Sequence, residues 1–300
     1  MFNRLHHLTA GVYLSCVALP RLPVRVYLRG IHTHSDTPAV ADTGKYRYLC
    51  YQTHQNEVGM SKQTAGRSSG RMITFKRPDG ADVNGYLASP AVLEGAPAIV
   101  VIQEWWGVND QIKGVANRLA ECGYRVLVPD LYRGASTVEE EEAHHLMDGL
   151  DFGDAVSQDI KGAVQYLQAD SKKVGVTGYC MGGALTLLAL NAIPEVAAGV
   201  VWYGFPPLEY LDASKIKAPL IGHWGTQDAF FNIDTVAELE SKLHEAGVDA
   251  TFHRYLAHHA FANETAIGDG RISGTQYDAA WSQLAWDRTL TFFGKTLWQA

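Results

Sequence analysis

No two of the four cysteines, Cys16, Cys50, Cys122 and Cys180, form a C-x-x-C pair, and they are spread along the whole chain. That spacing excludes a zinc knuckle and a dense disulfide framework, and it fits a reducing compartment, the cytoplasm. Positive charge is also scarce: 25 Lys and Arg stand against 32 Asp and Glu, for a formal net charge of −7. A nucleic-acid partner needs a basic footprint that this balance does not supply. No apolar run reaches the roughly 18 residues needed to cross a bilayer, so no membrane partner is expected. A dinucleotide fingerprint and a cluster of metal ligands are both missing. His144 and His145 are adjacent, face different ways, and lack the i, i+4 spacing of a helical metal pair. Neither a metal nor an organic cofactor is expected.

Acidic residues are absent from Met1 to Ser35, where Arg4, Arg21, Arg25 and Arg29 are scattered and Leu8 to Pro20 is modestly apolar. An Arg-rich, acid-poor start is the mark of a mitochondrial transit segment, although Ser is not abundant and no Ala-x-Ala cleavage site follows the apolar run. The reading adopted is an unstructured extension ahead of a working start at Met60, with mitochondrial targeting as the alternative. Residues 1–70 are therefore set apart from a single domain over residues 71–300.

What the chain does contain is a regular alternation. Hydrophobic residues make up 47% of it, ample for a substantial core. Met72 to Lys76 and Val83 to Ala88 are strand-like runs joined by Pro78-Asp79-Gly80, a turn in which Pro presets one angle and Gly accepts positive φ. Ala98 to Gln103 and Arg125 to Pro129 are continuous apolar runs, as in strands buried on both faces. Between them, Asn109 and Asp110 cap a helix ending near Cys122 and Gly123. Thr137 and Glu140 are spaced as a capping box for an acidic helix reaching Asp148. Asp154 to Ala169 is amphipathic and helical. Strands follow at Val174 to Thr177, Val196 to Tyr203, Ala218 to Trp224 and Ala250 to Tyr255, with helices at Ile233 to Ala246 and Asp278 to about Leu297. In the last helix Trp281, Leu284, Trp286 and Phe292 or Phe293 face inward. Strands alternating with helices predict an α/β fold with a mostly parallel central sheet and helices on both faces. Chemistry in such sheets sits beyond the carboxyl ends of the strands.

Gly178-Tyr179-Cys180-Met181-Gly182 places a cysteine where a strand turns into a helix, in the spacing of a nucleophile elbow with sulfur replacing oxygen. The two glycines let the backbone pass close to itself. A sulfur there faces the positive end of a helix, which stabilises negative charge on it. Later strands end on Gly225-Thr226-Gln227-Asp228 and on Leu256-Ala257-His258-His259-Ala260-Phe261. The chain order is nucleophile, acid, histidine, the order of α/β-hydrolases. Spacing does not choose between His258 and His259; Phe261 is expected to pack behind the one used. Asp234 rivals Asp228, but its position beside Asn232 suits a helix start.

Five segments together resemble the dienelactone hydrolase family, the carboxymethylenebutenolidases, which are α/β-hydrolases with a cysteine nucleophile. They are Val101 to Asn109 (VIQEWWGVN), Val128 to Tyr132 (VPDLY), Gly178 to Gly183 (GYCMGG), Gly225 to Asp228 (GTQD) and His259 to Ala262 (HAFA). The resemblance covers the chain from about Arg71 onward. It implies an α/β-hydrolase fold and a triad of Cys180, His259 and Asp228, choosing His259 over His258. It also implies that Glu104 contacts the resting thiol and swings away when substrate binds. The backbone N–H groups of Trp105 and Met181 are the expected oxyanion hole. Trp106 and Tyr132 are expected at the substrate, and Arg133 lies near a family arginine that binds substrate carboxylate. Asn263 stands where a second family arginine would be, so the substrate itself stays open.

These readings converge on hydrolysis of a small-molecule ester or lactone through a thioester acyl-enzyme, by a monomer or small homo-oligomer. A broad carboxylesterase or thioesterase on the same site is the first alternative. A non-catalytic thiol redox or binding protein is the second.

Overall fold

The structure, a computed structural model, describes residues 70–269 and 271–298. The chain divides into two units, Met1–Ala41 and Asp42–Ala300, and every described residue lies in the second. The expectations for residues 1–69 fall outside the described residues.

Strands β1 (Arg71–Lys76) and β2 (Asp82–Ala88) form the antiparallel hairpin expected around Pro78-Asp79-Gly80. Then follow β3 (Ala98–Ile102), α1 (Asp110–Glu121), β4 (Arg125–Pro129) and α2 (Glu140–Asp148). Next, α3 (Phe152–Asp154) continues through a π-helical segment (Ala155–Ile160) into α4 (Lys161–Gln168). The second half contributes β5 (Val174–Tyr179), α5 (Met181–Ala192), β6 (Val196–Trp202), β7 (Leu220–Gly225), α6 (Ile233–Glu245), β8 (Ala250–Tyr255) and α7 (Ala279–Leu297).

The eight strands form one sheet in the order β1-β2-β4-β3-β5-β6-β7-β8. Only β1 with β2 and β2 with β4 pair antiparallel; the remaining neighbours are parallel. This is the α/β-hydrolase arrangement. Alternation along each strand divides the core. Val100 and Ile102 of β3 and Leu127 of β4 face the layer that includes α4, α5 and α6. Ile99 and Val101 of β3, with Val126 and Val128 of β4, face α1 and α7. Both sheet faces are thus apolar, which is why β3 and β4 read as unbroken hydrophobic runs.

Three local expectations are corrected. Thr137 does not cap α2: its hydroxyl accepts from Glu139 N–H at 3.0 Å, and Glu139 occupies the cap position without a side-chain bond. The helix before β5 is not uniformly α, since a π segment widens it midway. On α7, Phe293 and Trp286 are buried while Leu284 is exposed, because Leu284 lies on the outer side of the helix. Among the described residues, no helix is long and apolar enough to cross a membrane.

The strand order places the site. Leaving β3, the chain goes first to β4 on one side and only later to β5 on the other, opening a crevice beyond the carboxyl ends of β3 and β5. Ile102 pairs with Gly178 across these strands, so the loops carrying Glu104 and Cys180 leave the sheet side by side. Gly225 pairs with Tyr255 in the same way, bringing the loops of Asp228 and His259 together.

Leu127 is fully buried in the middle of this sheet. Leu127→Ala is expected to lower the unfolding free energy by about 3 kcal/mol, seen in urea as a lower midpoint at unchanged slope.

Candidate active site

At the end of β5 the backbone reverses through Cys180, whose φ is 53°. The amide of Cys180 donates to Trp202 O at 3.0 Å, and its carbonyl accepts from Gly183 and Ala184 N–H at 2.8 and 3.2 Å. Only glycine fits the flanking positions. A Cβ on Gly178 would lie 2.1 Å from Gly182 O, and one on Gly182 would lie 2.5 Å from Ile102 O. Four non-glycine residues have positive φ among the described residues, and three of them, Cys180, Tyr203 and Ala260, meet at this site. Such backbone costs roughly 1–3 kcal/mol per residue and persists where packing and hydrogen bonds hold it. Cys180 is a free thiol and only partly buried.

His259 follows β8 and is buried. Its Nδ1 lies 2.8 Å from Asp228 Oδ2, and the ring lines the same cavity as the Cys180 sulfur. The other Asp228 oxygen accepts the N–H groups of Phe230 and Phe231 at 2.8 and 2.9 Å. Those two rings flank the imidazole, with centroids 4.9 and 5.6 Å away. Neighbouring His258 is half-buried, and its Nδ1 lies 3.2 Å from Gln227 O. The imidazole beside the sulfur is therefore that of His259. Asp234, the rival acid, is exposed in the first turn of α6, where its N–H donates to Asn232.

Burial pulls the His259 imidazole toward its neutral form. Interaction with Cys180 and the Asp228 hydrogen bond outweigh burial and push it up to about 10.

Glu104 is buried two residues past β3. Burial raises its carboxyl above the usual range, and the charge of His259, with bonds from Asn263 and Tyr203, only partly offsets that rise. Its Oε2 accepts from Asn263 Nδ2 at 2.6 Å and its Oε1 from the Tyr203 hydroxyl at 3.2 Å. The hydrogen-bond partners of this acid are thus Asn263 and Tyr203 rather than the thiol. Sequence reasoning missed Tyr203. Its buried ring lies edge-on to His259 at 5.1 Å, its φ is 36°, and its only sequence signal is a place one residue past β6.

A cavity of about 1300 Å³ opens above the sulfur, lined by Glu104, Trp105, Trp106, Cys180, Met181 and His259 among others. Trp105 and Trp106 meet edge-on at 5.1 Å, and His144 packs against Trp105 at 4.7 Å. Met181 is the first residue of α5.

The pattern of the dienelactone hydrolase family matches residues 83–297. The chain belongs to this family. A relative from Aquifex pyrophilus, Protein usf, is 34% identical over 239 residues, covering 76% of this chain and 99% of that protein. An Aquifex aeolicus (strain VF5) protein named "Putative carboxymethylenebutenolidase" is 31% identical over 235 residues, covering 75% and 97%. Among solved structures, a dienelactone hydrolase-like promiscuous phosphotriesterase from metagenomic libraries superposes with a TM-score of 0.67 at 23% identity. It covers 76% of this chain and 99% of that one, a likeness of fold alone.

Two residues that the family resemblance places at the substrate lie elsewhere. Arg133 does not line the cavity: its guanidinium holds both oxygens of buried Asp159 at 2.9 and 3.0 Å and the Asp130 carbonyl at 2.9 Å. The reason is local, since the π-helical segment presents Asp159 to it and a buried carboxylate requires a partner. Tyr132 is buried behind the cavity wall, with its hydroxyl 3.3 Å from Met181 Sδ. Asn263, at the family's second arginine position, binds Glu104 and also lines the cavity.

If the sulfur is the charge partner of His259, Cys180→Ala removes the largest upward influence on the imidazole and leaves burial acting against Asp228. The His259 titration midpoint, read by NMR of isotope-labelled histidine, is expected to fall from about 10. A midpoint left in place would assign that charge to another group.

Proposed function

We propose that this dienelactone hydrolase family member cleaves an ester or lactone with Cys180 as nucleophile, His259 as acid and base, and Asp228 as its orienting acid. The observation that carries the reading is a single buried imidazole bonded to Asp228 through Nδ1 at 2.8 Å and lining the same cavity as the Cys180 sulfur. Thiolate attacks the carbonyl carbon and a C–S bond forms as the carbonyl electrons move onto oxygen. The amides of Trp105 and Met181 are the proposed donors to that oxyanion. The tetrahedral centre collapses, the C–O bond breaks, and His259 gives its proton to the departing oxygen. Water, deprotonated by His259, then attacks the thioester, the C–S bond breaks, and thiolate with imidazolium is restored.

Glu104 works in this scheme by staying out of the way. With its oxygens engaged by Asn263 and Tyr203, the sulfur has His259 as its charge partner, which is the reactive pairing. A carboxylate turned toward the sulfur would disfavour a second negative charge there.

Iodoacetamide is expected to alkylate Cys180 in proportion to the loss of p-nitrophenyl acetate hydrolysis. Cys180→Ala should keep the far-UV spectrum and lose at least about 10³-fold in kcat, while Asp228→Asn should lose about 10²–10⁴-fold. Undiminished turnover by Cys180→Ala would assign the nucleophile elsewhere.

A further inference from the structure

The cavity is larger than a small lactone needs and carries the wrong charge for an anion. At about 1300 Å³ it exceeds the roughly 300–1000 Å³ that holds a drug-sized ligand. Its walls include Trp105, Trp106, Met147, Phe152, Leu188 and Phe205. At the mouth, three large apolar residues are left in solvent: Val138 is 84% exposed, Tyr210 69% and Phe230 51%. Exposed hydrophobes gathered at a cavity mouth mark a place where apolar matter is received.

The charged groups point the same way. Glu139, Glu140 and Asp151 line the cavity, with Glu104 at its floor. Among the described lining residues the single Lys or Arg is Arg271. Its exposed guanidinium donates to the carbonyls of Gly268 and Thr275, at 2.9 and 2.8 Å, and to Gln276 at 3.4 Å, which occupies its N–H groups but leaves its charge in place. Arg133 is committed to Asp159 outside the cavity, and the position of Asn263 carries no charge. A substrate carboxylate would therefore meet three rim carboxylates against one guanidinium whose N–H groups are already engaged, a net repulsion that disfavours such a partner.

We infer that the site takes uncharged esters bearing a long or bulky apolar acyl chain and discriminates against carboxylate-bearing substrates. The inference rests on the reading of Cys180 as the nucleophile and names the substrate class of that site. The acyl chain lies along the Trp and Phe walls, and the rim carboxylates set the charge preference.

Three 3-acyloxy-4-nitrobenzoate probes test it: the methyl ester carrying octanoyl, the methyl ester carrying acetyl, and the free carboxylate carrying octanoyl. At low salt the octanoyl methyl ester is expected to exceed the acetyl one in kcat/KM by about tenfold or more, and the carboxylate by a similar factor. The second gap should narrow in about 0.5 M NaCl, where rim charges are screened. It should also narrow in a Glu139→Gln, Glu140→Gln double variant. A carboxylate turned over as fast as its methyl ester, or acetyl preferred to octanoyl, overturns the inference. The same probes on Cys180→Ala separate the two failures. Turnover that survives this substitution removes the nucleophile reading, whereas Cys180-dependent turnover without discrimination removes only the substrate class. No turnover of any probe by the unmodified protein removes both.

Discussion

The backbone at Cys180 leaves β5 and enters α5 within a single residue, and the side chain can face the cavity only because the chain passes through a left-handed φ there. That passage is held by contacts too tight for any Cβ: Gly178 against Gly182, and Gly182 against the backbone at the end of β3. The rest of the site depends on it. The sulfur meets His259 because the elbow aims it across the sheet, and Glu104 lies near because the backbone that Gly182 touches runs on into the Glu104 loop. Strain at Cys180 and Tyr203 is balanced by hydrogen bonds to β6 and β7, and that at Ala260 by one from Asn263, so these conformations are held by their surroundings rather than by their own preferences.

Electrostatics then divide the acidic groups into distinct roles by environment. Asp228 receives two backbone N–H groups and the imidazole, so its charge is satisfied on every side. Glu104 is equally buried but has only two neutral donors, and its carboxyl is raised accordingly. Asp159, also buried, serves structure: it joins Arg133 and Arg77, tying the π-helical segment to the β1–β2 turn region. A guanidinium used in this way is no longer available to a substrate. One ion pair thus has consequences for both the packing of the helix and the charge of the cavity.

Much of the fold was legible because the local signals agreed with one another. Apolar runs at β3 and β4, the Asn109 cap of α1 and the Pro78-Asp79-Gly80 turn each have one physical meaning, and the structure follows them. Where signals were degenerate, reading them failed. Thr137 and Glu140 have capping-box spacing, but spacing does not set the dihedral angles that would let the box close. Leu284 is as hydrophobic as its inward neighbours, and only the rotation of α7 against the sheet leaves it outside. The π segment has no sequence mark, since it answers to packing between helix and sheet rather than to propensity.

For the site, chain order and the elbow spacing were enough to nominate Cys180, Asp228 and the His258–His259 pair, because glycine placement and strand ends are local properties of the sequence, and the family resemblance then pointed to His259. Sequence by itself determined an acidic α/β chain whose elbow carries sulfur, with an acid and a histidine on later loops. Tertiary structure alone decided that Tyr203 and Asn263 hold Glu104, and that Arg133 belongs to Asp159. Those outcomes rest on which side chains long-range packing brings within about 3 Å of each other, and hydrogen bonds at that range carry no trace in the order of residues.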